Sequence, residues 1–318
     1  VKINNKIIQP ILITGASGFV ASNLVRYFVS KNIKVNILLK KNTNLWRLKD
    51  IIHKTNFFYL NLGNKNNVEK IIKKIKPKTI FHFAAHGAYS NQTNLQEIKS
   101  SILDGTLNLI NECKKYGFKS FINTGSSSEY GFKNHKMKEE NLLVPNSYYS
   151  VFKSSATLLC QYESIKTNLS ITTIRPFHVY GPYEEPTRLI PSLMHQLLNN
   201  KKSKLVSPNI SRDLIHVQDV IDFYLMVSIK KGMLGNIFNL GYGKKITIKM
   251  IYDHLKKITK ANVKNKWNSM KDRNWDQTVW YSDMTKVKKR FNWSPKINFK
   301  KGLSKTLIWH KNFYNEKK

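Results

Sequence analysis

The sequence is poor in cysteine and contains no long hydrophobic run. Two of its 318 residues are cysteine, Cys113 and Cys160, which argues against a disulfide-stabilised scaffold and favours a reducing compartment. No cluster of His, Cys and Asp has metal-ligand spacing, so we expect no metal. No apolar run reaches the roughly eighteen residues of a membrane span. Because the stretch beginning at Val1 also lacks the pattern of a signal peptide, we expect a cytoplasmic protein without a membrane partner.

Acidic residues are also scarce. The chain has 19 Asp and Glu against 54 Lys and Arg, a formal net charge of +35. Such an excess is compatible with nucleic-acid binding. The lysines are dispersed over predicted helix faces, however, and no zinc-finger or RNA-recognition motif is present. We therefore expect no nucleic-acid partner, while a basic surface also attracts a polyanionic small substrate.

Hydrophobic residues make up 41% of the chain and follow two periodicities. Apolar runs typical of strands occur at 9–14, 34–39, 56–60, 79–84, 119–124 and 170–175. Amphipathic segments typical of helices occur at 19–31, 65–76, 94–116 and 147–168. This alternation predicts an α/β protein with a Rossmann-type, doubly wound parallel sheet.

A glycine turn follows the first apolar run. Residues Gly15–Ala21 have the pattern Gly-x-x-Gly-x-x-Ala and lead directly into an amphipathic helix. A strand, a glycine turn and a helix in this order present backbone N–H groups and a helix N-terminus to a pyrophosphate. The turn alone does not define a dinucleotide site, so the prediction depends on the motifs that follow.

Two further motifs carry hydroxyl and ammonium groups. Tyr149 and Lys153 stand at i and i+4 of a predicted helix and therefore project from the same face. An ammonium near a phenol favours the phenolate and lowers the tyrosine pKa toward working pH. The predicted strand that ends at Thr124 leads into the serine run Ser126–Ser128. Open parallel sheets bind ligands at such strand ends, so the order of these motifs indicates one reactive site.

The regular alternation of predicted strands and helices ends after Pro176, where prolines become frequent and the elements become shorter. We predict a dinucleotide-binding Rossmann domain over residues 1–176 with about 210–235. A smaller mixed α/β C-terminal lobe, over residues 177–209 with about 236–318, is predicted to bind substrate.

With these motifs the chain resembles the extended short-chain dehydrogenase/reductase family of nucleotide-sugar epimerases, dehydratases and reductases. Further segments match over nearly the whole length, among them Arg175–Pro182, Ser211–Val220 and Trp293–Lys296. The resemblance implies a catalytic set of Ser126, Tyr149 and Lys153. It implies that a dinucleotide is bound by Gly15, Ser17, Gly18, Phe19, Val20, Lys40, Lys41, Asn42, Arg47, Asn61, Leu62, Ala84, Ala85, Thr124, Tyr149, Lys153, Pro176 and Val179.

The same resemblance implies a set of polar substrate-binding residues, in which the arginines suit a diphosphate. They are His86, Ser127, Ser128, His178, Arg188, Arg212 and Arg273.

The chain also departs from the family pattern. Asn61 replaces an Asp that usually contacts adenine, Ile102 stands where Asn is common, and His178 replaces a substrate-binding Asn. Dehydratases of the family carry Asp-Glu directly after the catalytic hydroxyl, whereas this chain has Ser127 and Ser128. We therefore do not expect 4,6-dehydration.

The end of the second predicted strand bears on the choice of cofactor. An acidic residue there accepts hydrogen bonds from the ribose of NAD. This chain instead continues from Leu39 into Lys40 and Lys41. Cations suit the 2′-phosphate of NADP, and one charge-assisted contact contributes about 1.5–3 kcal/mol. A lysine-rich chain also places lysines there by chance, so we expect NADP(H) and keep NAD(H) as the alternative.

These features predict an NADPH-dependent reductase that converts a nucleotide-diphosphate-linked 4-keto-(6-deoxy) sugar into the 4-hydroxy sugar of a surface-polysaccharide precursor. In its motifs the chain most resembles nucleotide 4-keto-6-deoxy-sugar reductases such as CDP-abequose synthase-like proteins. One alternative is a nucleotide-sugar 4-epimerase that retains NAD, and another is a dinucleotide-binding protein without catalysis. The resemblance also implies a homodimer through the helices predicted at 94–116 and 147–168.

Overall fold

Seven strands form the central sheet of the protein. The computed structural model describes residues 6–89, 91–270 and 279–315. In chain order the strands are β1 (Ile11–Thr14), β2 (Asn36–Leu39), β3 (Asn56–Tyr59), β4 (Thr79–His82), β5 (Ser120–Thr124), β6 (Ile171–Pro176), β7 (His178–Tyr180), β8 (Ser211–Arg212), β9 (Leu214–His216), β10 (Ile237–Leu240) and β11 (Ile246–Thr247). The sheet has the order β10-β6-β5-β4-β1-β2-β3, and β1 to β6 pair in parallel. The predicted doubly wound parallel sheet is confirmed.

Helices connect the strands. They are α1 (Phe19–Ser30), α2 (Lys65–Ile75), α3 (Leu95–Lys99), α4 (Gly105–Lys114), α5 (Tyr148–Thr167), α6 (Leu189–Leu198), α7 (Val217–Ile229), α8 (Ile248–Thr259), α9 (Thr285–Phe291) and α10 (Phe299–Asn315). A π-helical turn, Ser100–Asp104, separates α3 from α4, so the continuous helix predicted over 94–116 was wrong at this point. Within the described ranges, no helix combines the length and apolar character needed to cross a membrane.

The apolar runs of the sequence become the core of the sheet. Leu12, Ile80 and Phe121, on three neighbouring strands, are completely buried. The inner strand β4 is buried along its whole length, as expected for a strand covered on both faces. Burial of each large aliphatic or aromatic side chain contributes about 1.5–3 kcal/mol, so this interior fixes the strand ends that follow it.

The strand order reverses between β1 and β4. From β1 the chain continues outward to β2 and β3, and from β4 it continues outward on the other side to β5 and β6. Gly15, directly after β1, therefore lies beside Ala84, just beyond β4. In open α/β sheets this switch point, at the carboxyl ends of the strands, is the usual place of a ligand.

The chain divides into two compact units. Unit 1 comprises Val1–Gly131, Leu142–Pro176 and Ile221–Phe238, and unit 2 comprises Phe132–Asn141, Phe177–Val220 and Asn239–Lys318. Two segments are assigned differently from what the sequence predicted. The segment 132–141 belongs to unit 2, and so do residues 210–220, which we had assigned to the first domain.

Long-range hydrogen bonds explain both differences. The backbone N–H of Met137 donates to the carbonyl of Tyr281 at 3.0 Å, and the N–H of Asp283 donates to the carbonyl of Met137 at 2.7 Å. The buried carboxylate of Asp213 accepts from the backbone N–H groups of Tyr242 and Ser282 at 2.7 and 2.8 Å. Because these partners lie far apart in the sequence, no local sequence pattern indicates where the two units begin and end.

Candidate active site

The glycine turn holds the end of β1 against the end of β4. Gly15 has a φ of +64°, and a Cβ atom built on it lies 2.7 Å from the backbone nitrogen of Ala84. The N–H of Gly18 donates to the carbonyl of Gly15 at 2.9 Å, and α1 begins at the next residue. Glycine at the N-cap supplies no side-chain acceptor for the first N–H groups of the helix. The turn therefore offers backbone donors and close access to a phosphate group.

A buried histidine ties this turn to α4. The N–H of Ala84 donates to Oγ1 of Thr14 at 3.2 Å, and that oxygen lies 2.7 Å from Nδ1 of His82. On the other side Nε2 of His82 lies 2.9 Å from Oγ1 of Thr106, whose hydroxyl donates to the carbonyl of Ile102. Burial lowers the pKa of His82 to about 3, so the ring is neutral, with Nε2 as its donor. His82 is thus a structural residue of the switch point.

The cations at the end of β2 lie beside a carboxylate of α3. Nζ of Lys40 lies 3.3 Å from Oε2 of Glu97, and Nε2 of His86 lies 3.4 Å from the same oxygen. Lys41 and Asn42 are exposed. The predicted cationic strand end is therefore partly neutralised by Glu97, fifty-seven residues away in sequence from Lys40.

Two other predicted cofactor residues shape backbone turns. The guanidinium of Arg47 is buried, lies 4.3 Å from the ring of Trp46 and donates to the carbonyl of Ser17 at 3.2 Å. Oδ1 of Asn61 accepts from the N–H of Gly63 at 3.0 Å. In these positions Arg47 supports the glycine turn and Asn61 closes the loop after β3.

The Tyr–Lys pair lies at the carboxyl end of β5. Nζ of Lys153 donates to the carbonyl of Thr124 at 2.6 Å and lies 5.9 Å from the ring centroid of Tyr149. Lys153 is buried, and Tyr149 is half-buried. Burial lowers the pKa of Lys153 to about 8, against the attraction of Glu129, which raises it. The predicted helix face thus brings an ammonium and a phenol to one strand end.

Sequence reasoning missed a second tyrosine at this strand end. The hydroxyl of Tyr224, on α7, donates to Oγ1 of Thr124 at 3.0 Å. Its ring stacks on Phe83 with centroids 4.9 Å apart. Tyr224 is completely buried, which raises its pKa above the ordinary value, so it remains a neutral donor. It holds the hydroxyl of Thr124 on one side while Lys153 holds the carbonyl.

The serine run forms a tight turn after β5. Oγ of Ser126 accepts from the N–H of Ser128 at 3.1 Å and lies 2.7 Å from Oγ of Ser128. Ser127 is buried, while Ser126 and Ser128 are half-buried. The N–H of Ser126 donates to Oε1 of Glu129 at 2.7 Å, which completes a capping box. The Ser-x-x-Glu spacing of Ser126–Glu129 is the sequence signal that identifies this contact.

Unit 2 brings together three of the predicted substrate residues. His178 lies on β7, Arg212 on β8, and Arg188 precedes α6. Burial, then the positive charges of Arg212 and Arg188, lower the pKa of His178 to about 3, so its ring is neutral. Nε2 of His178 is buried and has no hydrogen-bond partner within the part of the chain that the structure describes. Arg273 lies outside the described residues.

The remaining predicted cofactor residues lie on or next to several different elements. Phe19 and Val20 begin α1, Ala85 is exposed beyond β4, Pro176 ends β6 and Val179 lies on β7. Leu62 is buried next to Gly105 of α4.

These features are those of a dinucleotide-binding α/β enzyme, and the sequence comparison assigns its family. The model of the NAD dependent epimerase/dehydratase family matches residues 11–241. The chain therefore belongs to this family, which confirms the resemblance derived from its motifs.

Individual relatives are similar over most of their length. The chain is 28% identical to a dTDP-D-glucose 4,6-dehydratase of Dictyostelium discoideum, over 98% of this chain and 85% of the relative. It is 27% identical to a UDP-glucuronate 4-epimerase of Thermodesulfobacterium geofontis, over 94% and 95%.

Solved structures agree with this fold. A dTDP-glucose 4,6-dehydratase from Bacillus anthracis in complex with NAD superposes with a TM-score of 0.83 at 26% identity, over 96% of this chain and 97% of that one. A UDP-glucose 4-epimerase from Thermotoga maritima with UDP-glucose gives a TM-score of 0.86 at 23% identity, over 96% and 99%. The second likeness concerns the fold alone.

Proposed function

We propose that the protein catalyses NAD(P)-dependent oxidoreduction at C4 of a nucleotide-diphosphate sugar, in the direction of 4-keto reduction. One observation carries the proposal: the buried ammonium of Lys153 is bonded to the carbonyl at the end of β5, on the helix that carries Tyr149. Such a pair activates a phenol as a general acid or base, which contributes about 10²–10⁴-fold to a rate.

Each residue of the catalytic set has a separate role in the proposed reduction. A bound nicotinamide supplies the hydride to the ketone carbon. Tyr149 donates the proton to the ketone oxygen, and Ser126 hydrogen-bonds the same oxygen as negative charge develops. Lys153 stabilises the phenolate that Tyr149 leaves behind and binds the nicotinamide ribose. The glycine turn of unit 1 holds the pyrophosphate through its backbone N–H groups and the N-terminus of α1.

The substrate is proposed to bind through the basic residues of unit 2. Three arginines match the family positions that contact a diphosphate: Arg188, Arg212 and Arg273. The diphosphate lies away from the reacting carbon, so the free energy of binding it orients the sugar. His178 is neutral, so its imidazole suits a hydroxyl or carbonyl of the substrate better than a phosphate.

Dehydration is disfavoured even though several relatives are named dehydratases. That reaction needs an acid and a base to move protons during elimination, and the family supplies Asp-Glu after the catalytic hydroxyl. Ser127 and Ser128 occupy these positions here, and neither titrates in the physiological range.

A 4-epimerase with retained NAD is the second candidate. The Lys40–Glu97 ion pair favours it, because a carboxylate at the end of β2 repels a 2′-phosphate. Some of the similar solved structures also hold NAD, one of them the UDP-glucuronic acid 4-epimerase of Bacillus cereus.

Turnover of purified protein with nucleotide-linked 4-keto sugars and with 4-hydroxy sugars tests the proposal. Reduction predicts one NAD(P)H consumed for each ketone lost, and epimerisation predicts interconversion of C4 isomers without net change in the cofactor. Dinucleotide binding without turnover on any CDP-, GDP-, dTDP- or UDP-sugar would instead indicate a non-catalytic binding protein.

The cofactor preference can be tested on the two lysines. Because cations favour a 2′-phosphate, replacing Lys40 and Lys41 with Ala is expected to raise the Kd of NADPH by about tenfold. The Kd of NADH should change by less than about twofold. The control Glu97→Gln frees Lys40 from its ion pair and is expected to lower the Kd of NADPH. Equal effects on both cofactors, measured by fluorescence titration, would contradict a role of this strand end in NADP binding.

We also propose a homodimer. Helix α5 exposes a series of apolar side chains at helical spacing, among them Leu158, Tyr162 and Ile165 at 55%, 57% and 68% exposure. An apolar helix face of this kind is typical of a contact with another protein surface.

A further inference from the structure

A buried ion pair lies directly behind the serine turn and takes no part in the steps described above. Glu129 and Arg175 are 0% and 1% exposed, and Nε of Arg175 lies 2.8 Å from Oε2 of Glu129. The guanidinium also donates to the hydroxyl of Tyr130 at 3.0 Å. A buried pair is often no more stable than an apolar replacement, so its presence calls for a reason other than stability.

The carboxylate of Glu129 is built into the turn that carries Ser126. Its Oε1 accepts a hydrogen bond from the N–H of Ser126, while its Oε2 accepts one from Nε of Arg175. A Cβ atom on Gly125 would lie 2.5 Å from Oε1 of Glu129 and 3.2 Å from Cγ of Arg175. Glycine at 125 thus leaves the space that the carboxylate occupies.

The same carboxylate lies near the peptide group that Lys153 binds, since Nζ of Lys153 donates to the carbonyl of Thr124 and Oε1 of Glu129 lies beside the next residue, Gly125. The ammonium donates to the carbonyl of Thr124 and lies 5.9 Å from the ring centroid of Tyr149, and its charge interacts with the thiol of Cys160 and the ring of His82. Of these groups His82 is neutral, and burial raises the pKa of the Cys160 thiol, so it is neutral as well. Among the described residues, Glu129 is then the carboxylate whose charge raises the pKa of Lys153 against the effect of burial.

We propose that Glu129, oriented by Arg175, is a positioning residue that keeps Lys153 charged and holds the turn of Ser126. The inference rests on the proposed function only in naming Ser126 and Lys153 as catalytic. The interaction between Glu129 and Lys153 is measurable without substrate or cofactor.

The test compares three variants. Glu129→Gln keeps an oxygen for the N–H of Ser126 but removes the charge. Because this leaves Arg175 buried without a counter-ion, the double variant Glu129→Gln/Arg175→Met removes both charges and serves if the single variant does not fold. The control Glu163→Gln, on the same helix as Lys153, breaks the ion pair with Lys114, whose Nζ lies 3.2 Å from the Glu163 carboxylate.

The midpoint of Lys153 titration is measured by NMR on protein labelled with ¹³C at the lysine ε-carbon, and the signal is assigned by its loss in Lys153→Met. In the unaltered protein the pKa of Lys153 is expected near 8. Both Glu129 variants should lower this midpoint by about one pH unit. Glu163→Gln should leave it unchanged.

An unchanged midpoint in the folded double variant would overturn the inference, since Glu129 would then serve only as the partner of Arg175. If the midpoint shifts but no nucleotide sugar is turned over by the unaltered protein, the proposed function fails and the electrostatic role of Glu129 remains. If turnover occurs, the double variant should lower kcat near pH 8 by about fivefold, the loss of charged Lys153 that a one-unit shift of its pKa causes at that pH, with a smaller change in KM.

Discussion

The Tyr149→Phe variant is expected to lose about 10²–10⁴-fold in kcat, because it lacks the hydroxyl proton that a carbonyl oxygen must receive. The ring remains, so its packing against Ile98 and Ile102 and its place near Lys153 are preserved. The Kd of the dinucleotide should therefore change by less than about twofold, a difference below 0.5 kcal/mol. Steady-state kinetics and fluorescence titration of NAD(P)H measure the two quantities on the same preparation.

The neighbouring tyrosine provides the matched control. Tyr148 begins the same helix and is 62% exposed, so Tyr148→Phe removes an equivalent hydroxyl from the surface. It should leave kcat, KM and cofactor binding unaltered. Full activity in Tyr149→Phe would exclude this phenol as the proton donor, and equal losses in both variants would indicate a general effect on α5.

Much of unit 1 could be predicted because its signals are local. The apolar run before Gly15 becomes β1, and the i, i+4 spacing of Tyr149 and Lys153 places both on one helix face. The parallel order of strands then brings their carboxyl ends to one edge of the sheet. Periodicity, a glycine turn and helix geometry were sufficient for these inferences.

The partners of the charged and hydroxyl groups could not be predicted in the same way. Tyr224 lies 100 residues from Thr124, and Glu97 lies 57 residues from Lys40, so no spacing rule connects them. The cationic strand end was therefore interpreted without its carboxylate. Long-range contacts of this kind depend on the packing of helices that the sequence pattern does not specify.

Glu129 is an intermediate case. Its Ser-x-x-Glu spacing is a recognised helix-start signal, so the bond to the N–H of Ser126 was available from the sequence. Its ion pair with Arg175 was not, since 46 residues separate the two. From the sequence alone, the Ser-x-x-Glu spacing indicates only a helix cap, because it gives no sign of the ion pair with Arg175.

Replacing Gly15 with alanine is expected to have the largest effect on cofactor binding. The added Cβ would lie 2.7 Å from the nitrogen and 2.8 Å from the Cα of Ala84, both backbone atoms that no side-chain rotation can move. The end of β1 and the end of β4 must therefore separate, which displaces the backbone N–H groups that we propose bind the pyrophosphate. We expect the Kd of the dinucleotide to rise by about a hundredfold, or ~2.7 kcal/mol, as measured by titration calorimetry.

A second glycine separates this steric effect from the cost of the backbone conformation. Gly117 has a φ of +62°, close to the +64° of Gly15, but a Cβ on it would meet nothing within 4 Å. Gly117→Ala should therefore lower the free energy of unfolding by about 1–2 kcal/mol, the cost of a left-handed alanine, and leave the Kd unchanged. If Gly15→Ala behaved like Gly117→Ala, with lower stability and normal binding, the dinucleotide would have to bind away from this turn. A large loss of binding in Gly15→Ala alone would place the pyrophosphate where β1 and β4 meet.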